Sequence, residues 1–99
     1  MDHEELMARA VAMSKHGIEI RAGGPFGAVI ARAGEVVAEG WNRVTSQNDP
    51  TAHAEIVAMR DAARVAANYR LPDTTLYVTL EPCTMCCGAM IHARIAQLV

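Results

Sequence analysis

Two short motifs hold the residues of this chain that could do chemistry. His53 and Glu55 are separated by one alanine, and Cys83 and Cys86 follow Pro82 with two residues between the thiols. A neutral imidazole and two thiolates fill three corners of the tetrahedron that zinc prefers and leave the fourth corner for water. The carboxylate of Glu55 is the natural group to carry protons to and from that water. The motifs therefore predict a catalytic zinc site.

The spacing of the two thiols suits one ion, because positions i and i+3 share a helix face. A helix N-terminus and a metal both lower the pKa of a thiol, so we expect Cys83 and Cys86 to bind as thiolates. Zinc lowers the pKa of its water towards neutrality, and Glu55 can then accept a proton from that water and pass it on. The chemistry indicated is attack of an activated water on a bound substrate.

Two other interpretations of the motifs stay open. A closed structural zinc site needs a fourth protein ligand, but Cys87 lies about a third of a turn from Cys86 on a helix, and His92 lies further along. A redox pair of Cys83 and Cys86 leaves the histidine and glutamate without a role. We expect Cys87 to be a small apolar core residue. The histidines expected at the surface are His3, His16 and His92.

Length and composition are typical of a small globular protein. The chain has 99 residues, 52% of them hydrophobic and 20% charged, which predicts one domain. The net charge is −2 and the sequence contains no run of Lys or Arg residues. It therefore lacks the basic patch that is typical of a strong nucleic-acid binder. The sequence shows neither a signal peptide nor an apolar run that could cross a bilayer. Three clustered cysteines favour metal binding in the reducing cytoplasm, where we expect the protein to act.

Periodicity and breaker residues predict seven elements. Asp2 and Glu5 form a capping box before the first helix, Gly34 is a hairpin turn, and Asp49 and Pro50 offer an N-cap and a first helical position. The segment after the hairpin, about 42–48, is expected to be a loop. The predicted elements are helices over about 3–20, 50–67 and 82–93, and strands over about 28–33, 35–41, 74–80 and 95–99.

The order α-β-β-α-β-α-β predicts an α/β fold, a three-layer α-β-α sandwich in a single domain over residues 1–99. His53 and Glu55 fall in the first turn and a half of the second helix, and Cys83 and Cys86 fall at the start of the third. We expect both helices to follow neighbouring strands. The ion would then lie at the carboxyl edge of the sheet.

On these motifs the chain resembles the cytidine deaminase-like superfamily of zinc deaminases, in the branch that acts on purines. The resemblance covers nearly the whole chain and points to two groups. The segments GGPFGAVI (23–30) and NRVTSQNDPTAHAE (42–55) are similar to bacterial guanine deaminases and the broader nucleoside deaminases. The segments NYRL (68–71), LYVTLEPC (76–83) and GAMIHARI (88–95) are similar to tRNA adenosine deaminases that make inosine at the wobble position.

The resemblance implies one zinc ion per chain, with His53, Cys83 and Cys86 as its ligands and Glu55 as the proton shuttle. It implies that the expected function is zinc-dependent hydrolytic deamination of a purine base or nucleoside, with guanine as the first candidate. The alternative is a tRNA wobble adenosine deaminase, with tRNA as a possible partner. A second alternative is an inactive zinc-folded fragment or module, which the intact Glu55 disfavours.

The resemblance also implies two substrate-binding residues. Asn42 matches a loop asparagine that hydrogen-bonds the base, and its amide offers both a donor and an acceptor. Phe26 replaces a smaller aliphatic residue of the tRNA enzymes and is expected beside the pocket, where base packing and core filling are both open. Trp41 is expected to pack within the protein more than to stack on a base.

The resemblance bears on assembly as well. The family usually continues with a fifth strand and C-terminal helices, whereas this sequence stops at Val99. We therefore expect an uncovered strand edge and helix face, which favour an interface. The resemblance implies a homodimer packed through the helices that carry the zinc ligands, with Met90, Ile91 and Arg94 at or near the contact, and no membrane partner.

Overall fold

The computed structural model describes residues 1–99, beginning with helix α1, His3–Glu19. The predicted capping box is confirmed: the Asp2 side chain accepts from the Glu5 N–H, and the Glu5 carboxylate accepts from the Asp2 N–H. These bonds satisfy donors that a helix start leaves unpaired. One stripe of α1 is buried, and its residues are Leu6, Ala10, Ser14 and Gly17.

Four strands form one sheet in the order β2-β1-β3-β4. Their bounds are β1 Gly27–Arg32, β2 Glu35–Trp41, β3 Thr74–Val78 and β4 Gln97–Leu98. β1 pairs antiparallel with β2 and β3, and β3 pairs parallel with β4. The β1–β2 hairpin turns at Gly34, whose φ of 76° favours glycine. The hairpin was predicted correctly, while β3 and β4 are shorter than predicted.

Helices cover both faces of this sheet. On one face α1 packs Leu6 against Val29 and Tyr77. On the other face lie α3, Ala54–Ala66, and α4, Thr84–Ala93. Successive strand residues point to opposite faces, so neighbours in β1 enter different clusters. The cluster under α3 and α4 includes Ala28, Ile30, Ala58, Met59, Leu76 and Cys86. The predicted three-layer α-β-α sandwich is confirmed.

Both α3 and α4 begin at the sheet edge where β2 and β3 end. These two strands run in the same direction, because each is antiparallel to β1. They are not neighbours, so the prediction of neighbouring strands is wrong: β1 lies between them. β1 starts at this same edge and brings Phe26 to it, next to its first residue Gly27.

The start of α3 also differs from the prediction. The helix begins at Ala54 and not at Pro50. The Asp49 carboxylate accepts hydrogen bonds from the N–H and the hydroxyl of Thr51, at 2.8 and 2.7 Å, and therefore closes a turn before the helix. The Arg43 N–H donates to the Ala52 carbonyl at 2.9 Å, which ties this turn to the segment after β2.

The segment after β2 contains a helical turn where a loop was predicted. This element is α2, Val44–Gln47, and it ends at Asn48 in the left-handed conformation (φ 49°) that asparagine tolerates well. The Ser46 N–H donates to the Ala22 carbonyl at 2.9 Å, so α2 is joined to the loop before β1. None of the helices is both long enough and apolar enough to cross a membrane.

Candidate metal centre

Each half of the predicted zinc motif lies at a helix start. His53 is the N-cap residue of α3, with extended backbone (φ −66°, ψ 154°), and its side chain makes no capping bond. Cys83 is the N-cap residue of α4, with similar backbone (φ −73°, ψ 175°). Cys86 lies in the first turn of α4 and is completely buried. The imidazole is therefore left free to meet the two thiols.

The three side chains meet with the spacing that zinc requires. The Nδ1 atom of His53 lies 3.6 Å from the sulfur of Cys83 and 3.6 Å from that of Cys86, and the two sulfurs are 3.7 Å apart. Zinc–sulfur bonds of about 2.3 Å and zinc–nitrogen bonds of about 2.0 Å give tetrahedron edges of about 3.5 Å between nitrogen and sulfur and about 3.8 Å between the sulfurs. These residues therefore fit a zinc ion, with Nδ1 as the imidazole ligand atom.

The group contains three potential ligands and no fourth. Cys87 points elsewhere: it is exposed, and its sulfur lies 3.7 Å from the Pro82 carbonyl. The prediction that Cys87 is a core residue is wrong, because it lies on the solvent side of α4. The other histidines are apart from the group as predicted, with His92 exposed on α4. An open coordination position agrees with a catalytic site more than with a closed structural one.

The two thiols have pKa values displaced in opposite directions. The Cys86 N–H, at the start of α4, lowers the pKa of the Cys83 thiol. Burial raises the pKa of the Cys86 thiol, and the negative charge of Glu55 adds to the effect. At Cys86, without a metal, burial therefore outweighs the effect of the helix N-terminus on the thiol pKa. A bound metal has to supply the positive charge that stabilises that thiolate.

A cavity of about 180 Å³ opens beside the metal ligands. Glu55 lines it from the first turn of α3 and is only 8% exposed. The helix N-terminus favours a negative charge at this position. Glu55 thus combines a place in the cavity with shielding from bulk water, which are two requirements for a group that moves protons at a reacting centre.

Asn42 lines the cavity from the end of β2 and is 8% exposed. Its backbone N–H donates to the Phe26 carbonyl at 3.1 Å, and its side-chain Oδ1 accepts from the Val44 N–H at 3.0 Å. One lone pair of Oδ1 is engaged in this bond, whereas Nδ2 has no hydrogen-bond partner within the chain, so the Nδ2 amide group is the better placed of the two to meet a ligand. The sequence suggested that Asn42 offers a donor and an acceptor, whereas the structure favours the donor.

The aromatic residues near the site differ in position. Phe26 lines the cavity and packs on the core cluster under α3 and α4, so both open interpretations of this residue have support. Trp41 does not line the cavity. Its ring meets His16 edge-on, with centroids 4.7 Å apart, and lies 4.3 Å from the Arg43 guanidinium carbon. Trp41 is thus placed for packing, as expected.

Sequence reasoning missed part of the cavity wall. The additional lining residues come mainly from the ends of β1 and β3. Three of them, Thr79, Leu80 and Glu81, lie between the end of β3 and the Pro82–Cys83 motif. Their position in the sequence could have indicated that they lie near the metal ligands. These missed residues are Gly27, Ala54, Thr79, Leu80 and Glu81.

Two groups of proteins are similar to this chain. The guanine deaminase of Bacillus subtilis (strain 168) is 51% identical over 94 residues, covering 95% of this chain and 60% of that protein. The X-ray structure of guanine deaminase from Bacillus subtilis matches with a TM-score of 0.96 at 49% identity, covering 99% of this chain and 62% of the other. The tRNA-specific adenosine deaminase of Buchnera aphidicola subsp. Schizaphis graminum is 59% identical over 75 residues. That match covers 76% of this chain and 50% of the relative.

The whole sequence also matches one family model. Its description is "Cytidine and deoxycytidylate deaminase zinc-binding region", and the match covers residues 1–99. The zinc named in this description agrees with the triangle of ligand atoms at His53, Cys83 and Cys86. The predicted cofactor and the predicted superfamily are therefore confirmed. The chain belongs to the cytidine and deoxycytidylate deaminase zinc-binding family, and its relatives place it in the purine branch.

Proposed function

We propose that this chain carries the active site of a zinc-dependent hydrolytic deaminase that acts on a purine base or nucleoside, with guanine as the first candidate substrate. The observation that carries the proposal is one cavity that brings together metal ligands, the buried carboxylate of Glu55 and the amide of Asn42. The chain spans about half to three fifths of the length of its curated relatives.

Different residues around the cavity have different roles in the proposed reaction. His53, Cys83 and Cys86 would hold zinc, which supplies Lewis-acid activation of the attacking water. The Glu55 carboxylate takes a proton from that water and gives it to a ring nitrogen, and it then carries the second proton to the departing amine. The water oxygen bonds to the ring carbon, the carbon–nitrogen bond breaks, and ammonia leaves.

Two further residues would hold the base. The Nδ2 group of Asn42 donates a hydrogen bond to an acceptor on the ring, since Oδ1 is already bonded to the Val44 N–H. The Phe26 ring forms an apolar wall of the cavity, against which a flat base can pack. Together they orient the reacting carbon towards the metal and Glu55.

Ammonia release tests the proposal directly. Purified zinc-loaded protein is offered guanine, adenine, cytosine, their nucleosides and a tRNA anticodon stem-loop. We expect the highest kcat/KM with guanine, and xanthine as the product. Turnover of cytosine or cytidine alone would contradict the purine proposal, and no turnover of any compound by a zinc-loaded, folded protein would contradict deamination.

A tRNA adenosine deaminase is the second candidate. Its support is the 59% identity to the Buchnera tRNA-specific enzyme, which exceeds the 51% identity to the guanine deaminase. The guanine deaminase match nevertheless extends over more of the chain, 95% against 76%. Formation of inosine in the stem-loop, without any turnover of free guanine, would make this candidate the better one.

We also propose a homodimer that acts in the cytoplasm. Ile91 is 67% exposed on α4, and Met90 and Arg94 lie next to it. A neighbouring concave surface between α3 and α4 is mostly apolar, and such exposed patches favour an interface. Its apolar residues are Ile56, Met59, Ala63, Tyr69, Ala89 and Ala93. The three free thiols are consistent with a reducing compartment.

A further inference from the structure

Two adjacent glycines, Gly23 and Gly24, lie in the loop between α1 and β1. Their backbone conformation does not require glycine, because Gly34 has the only positive glycine φ in the chain. Space is the reason for glycine at both positions. A Cβ atom at either would lie closer than 3.0 Å to a residue that lines the proposed substrate cavity.

Gly23 lies directly against Asn42. A Cβ atom on Gly23 would be 2.1 Å from the Asn42 Oδ1 atom, 2.7 Å from its carbonyl oxygen and 3.0 Å from its Cγ atom. Non-bonded atoms do not approach so closely, so any other residue at position 23 has to displace the Asn42 side chain. The backbone oxygen is also too near, so rotation of the side chain alone cannot relieve the contact.

The displacement matters because the Asn42 Oδ1 atom accepts the Val44 N–H at 3.0 Å. That bond fixes which end of the amide faces the cavity. Moving Oδ1 away from Gly23 would break the bond, and the amide could then turn its oxygen or its nitrogen to a ligand. Gly23 thus lies against the Asn42 side chain without lining the cavity itself.

Gly24 has the same relation to Phe26. A Cβ atom on Gly24 would be 2.8 Å from Cε2 and 3.1 Å from Cδ2 of the Phe26 ring. The Phe26 N–H donates to the Gly24 carbonyl at 2.9 Å, so the backbone between the two residues is tightly turned. The ring is the part that would move, because it is the far end of a side chain. Its displacement would change the wall of the cavity.

We propose that Gly23 and Gly24 are positioning residues for the substrate: Gly23 orients the Asn42 amide and Gly24 places the Phe26 ring. This inference rests on the proposed function, and it assigns control of base recognition to two glycines that do not themselves line the cavity. It predicts that a single added methyl group at either glycine lowers substrate binding while zinc stays bound.

The first test needs no substrate. Hydrogen exchange of the Val44 amide, followed by NMR, reports its bond to Asn42 Oδ1. We expect protection in the unmodified protein and in Gly24→Ala, and loss of protection in both Gly23→Ala and Asn42→Ala. Equal protection in Gly23→Ala and the unmodified protein would overturn the inference, whatever the activity of the enzyme.

The second test uses kinetics with guanine. Gly23→Ala should lower kcat/KM as much as Asn42→Ala does, roughly five- to a hundredfold, the range for leaving a polar group unpaired. The double variant should lose little more, because both changes remove the same contact. Gly88→Ala is the matched control, since an added Cβ there meets nothing within 4 Å. Zinc content should stay near that of the control, whereas the thermal midpoint of Gly23→Ala should fall, because the contact with the Asn42 carbonyl oxygen has to be relieved by the backbone.

The outcomes separate the inference from the proposed function. An active unmodified protein whose Gly23→Ala variant matches Gly88→Ala would overturn the inference alone. A multiplicative loss in the double variant would also overturn it, because the glycine would then act independently of Asn42. An unmodified protein that deaminates no purine contradicts the proposed function, and the Val44 amide measurement still decides the role of Gly23.

Discussion

At the residue scale, Cys86 and Cys87 are neighbours in sequence with very different surroundings. The sulfur of Cys86 lies 3.6 Å from His53 Nδ1 and the residue is completely buried, while Cys87 is exposed and directed at the Pro82 carbonyl. A single residue step along the helix, about a third of a turn, separates the direction of a metal ligand from that of a solvent-facing thiol. Cys87 is therefore the matched control position for substituting Cys86 in a test of the metal site.

We expect Cys86→Ala to lose most of its zinc, because two protein ligands hold the metal far more weakly than three. Cys87→Ala should keep one zinc per chain. Elemental analysis after dialysis against a weak chelator measures both. Equal zinc content in the two variants would show that the metal is bound elsewhere.

Glu55→Gln should keep zinc, since Glu55 is not among the grouped ligand atoms. It should lose turnover by at least roughly 10²–10⁴-fold, the contribution of one positioned general base, because the same carboxylate serves two proton transfers. Steady-state ammonia release and zinc analysis on the same sample give both quantities. Glu81→Gln changes another carboxylate of the cavity and should lose far less. Similar losses in both variants would remove the special role of Glu55.

At the scale of elements, the turn before α3 decides where His53 lies. Asp49 accepts two hydrogen bonds from Thr51, and an Arg60 guanidinium nitrogen lies 3.5 Å from its other carboxylate oxygen. The Thr51 hydroxyl and N–H bonds, with Arg60 as a smaller influence, hold the pKa of the Asp49 carboxyl below its ordinary value. The ionised carboxylate therefore stabilises the turn that precedes the metal ligand.

This pKa difference gives a pH-dependent prediction for Asp49→Asn. A carboxyl whose pKa is lower in the folded state stabilises the fold above its unfolded pKa, about 3.9, and the contribution is lost as pH falls through the folded value. The unmodified protein should be more stable than the variant at pH 7, and the difference should vanish in more acidic solution. Urea unfolding of zinc-free samples at pH 7, 5 and 3 measures it. A difference independent of pH would assign the effect to packing and not to charge.

At the scale of the whole molecule, the exposed apolar surface of α3 and α4 lies on the face of the sheet opposite α1. Ile91 on α4 is 67% exposed, and Ile18 on α1 is 48% exposed. Both residues are isoleucines, and they lie on helices that cover opposite faces of the sheet. They form a matched pair for locating an interface.

We expect light scattering at micromolar concentration to show a dimer for the unmodified protein. Ile91→Asp should shift it to monomer, because a charge would be buried in the contact. Ile18→Asp should leave the dimer intact. A monomer in all three samples would refute dimer formation, and dissociation by Ile18→Asp alone would move the interface to α1.

The sequence by itself determined the features that depend on near neighbours. The Asp2 and Glu5 capping box, the hairpin at Gly34 and the pairing of Cys83 with Cys86 all involve residues a few positions apart, whose geometry local backbone structure sets. The motif that joins His53 to the two cysteines also determined the zinc chemistry, because few combinations of side chains suit that ion. These predictions needed no knowledge of how the layers pack.

The tertiary structure decided whatever depends on residues far apart in the chain. Asp49 offered a plausible helix cap, but the bond from the Arg43 N–H to the Ala52 carbonyl helped make it a turn, so α3 starts at Ala54. The insertion of β1 between β2 and β3 brought Phe26 to the metal edge of the sheet. The close approach of Gly23 to Asn42 followed from the same packing. Periodicity and motif spacing contain no such information, because these contacts form only when separate segments are packed together.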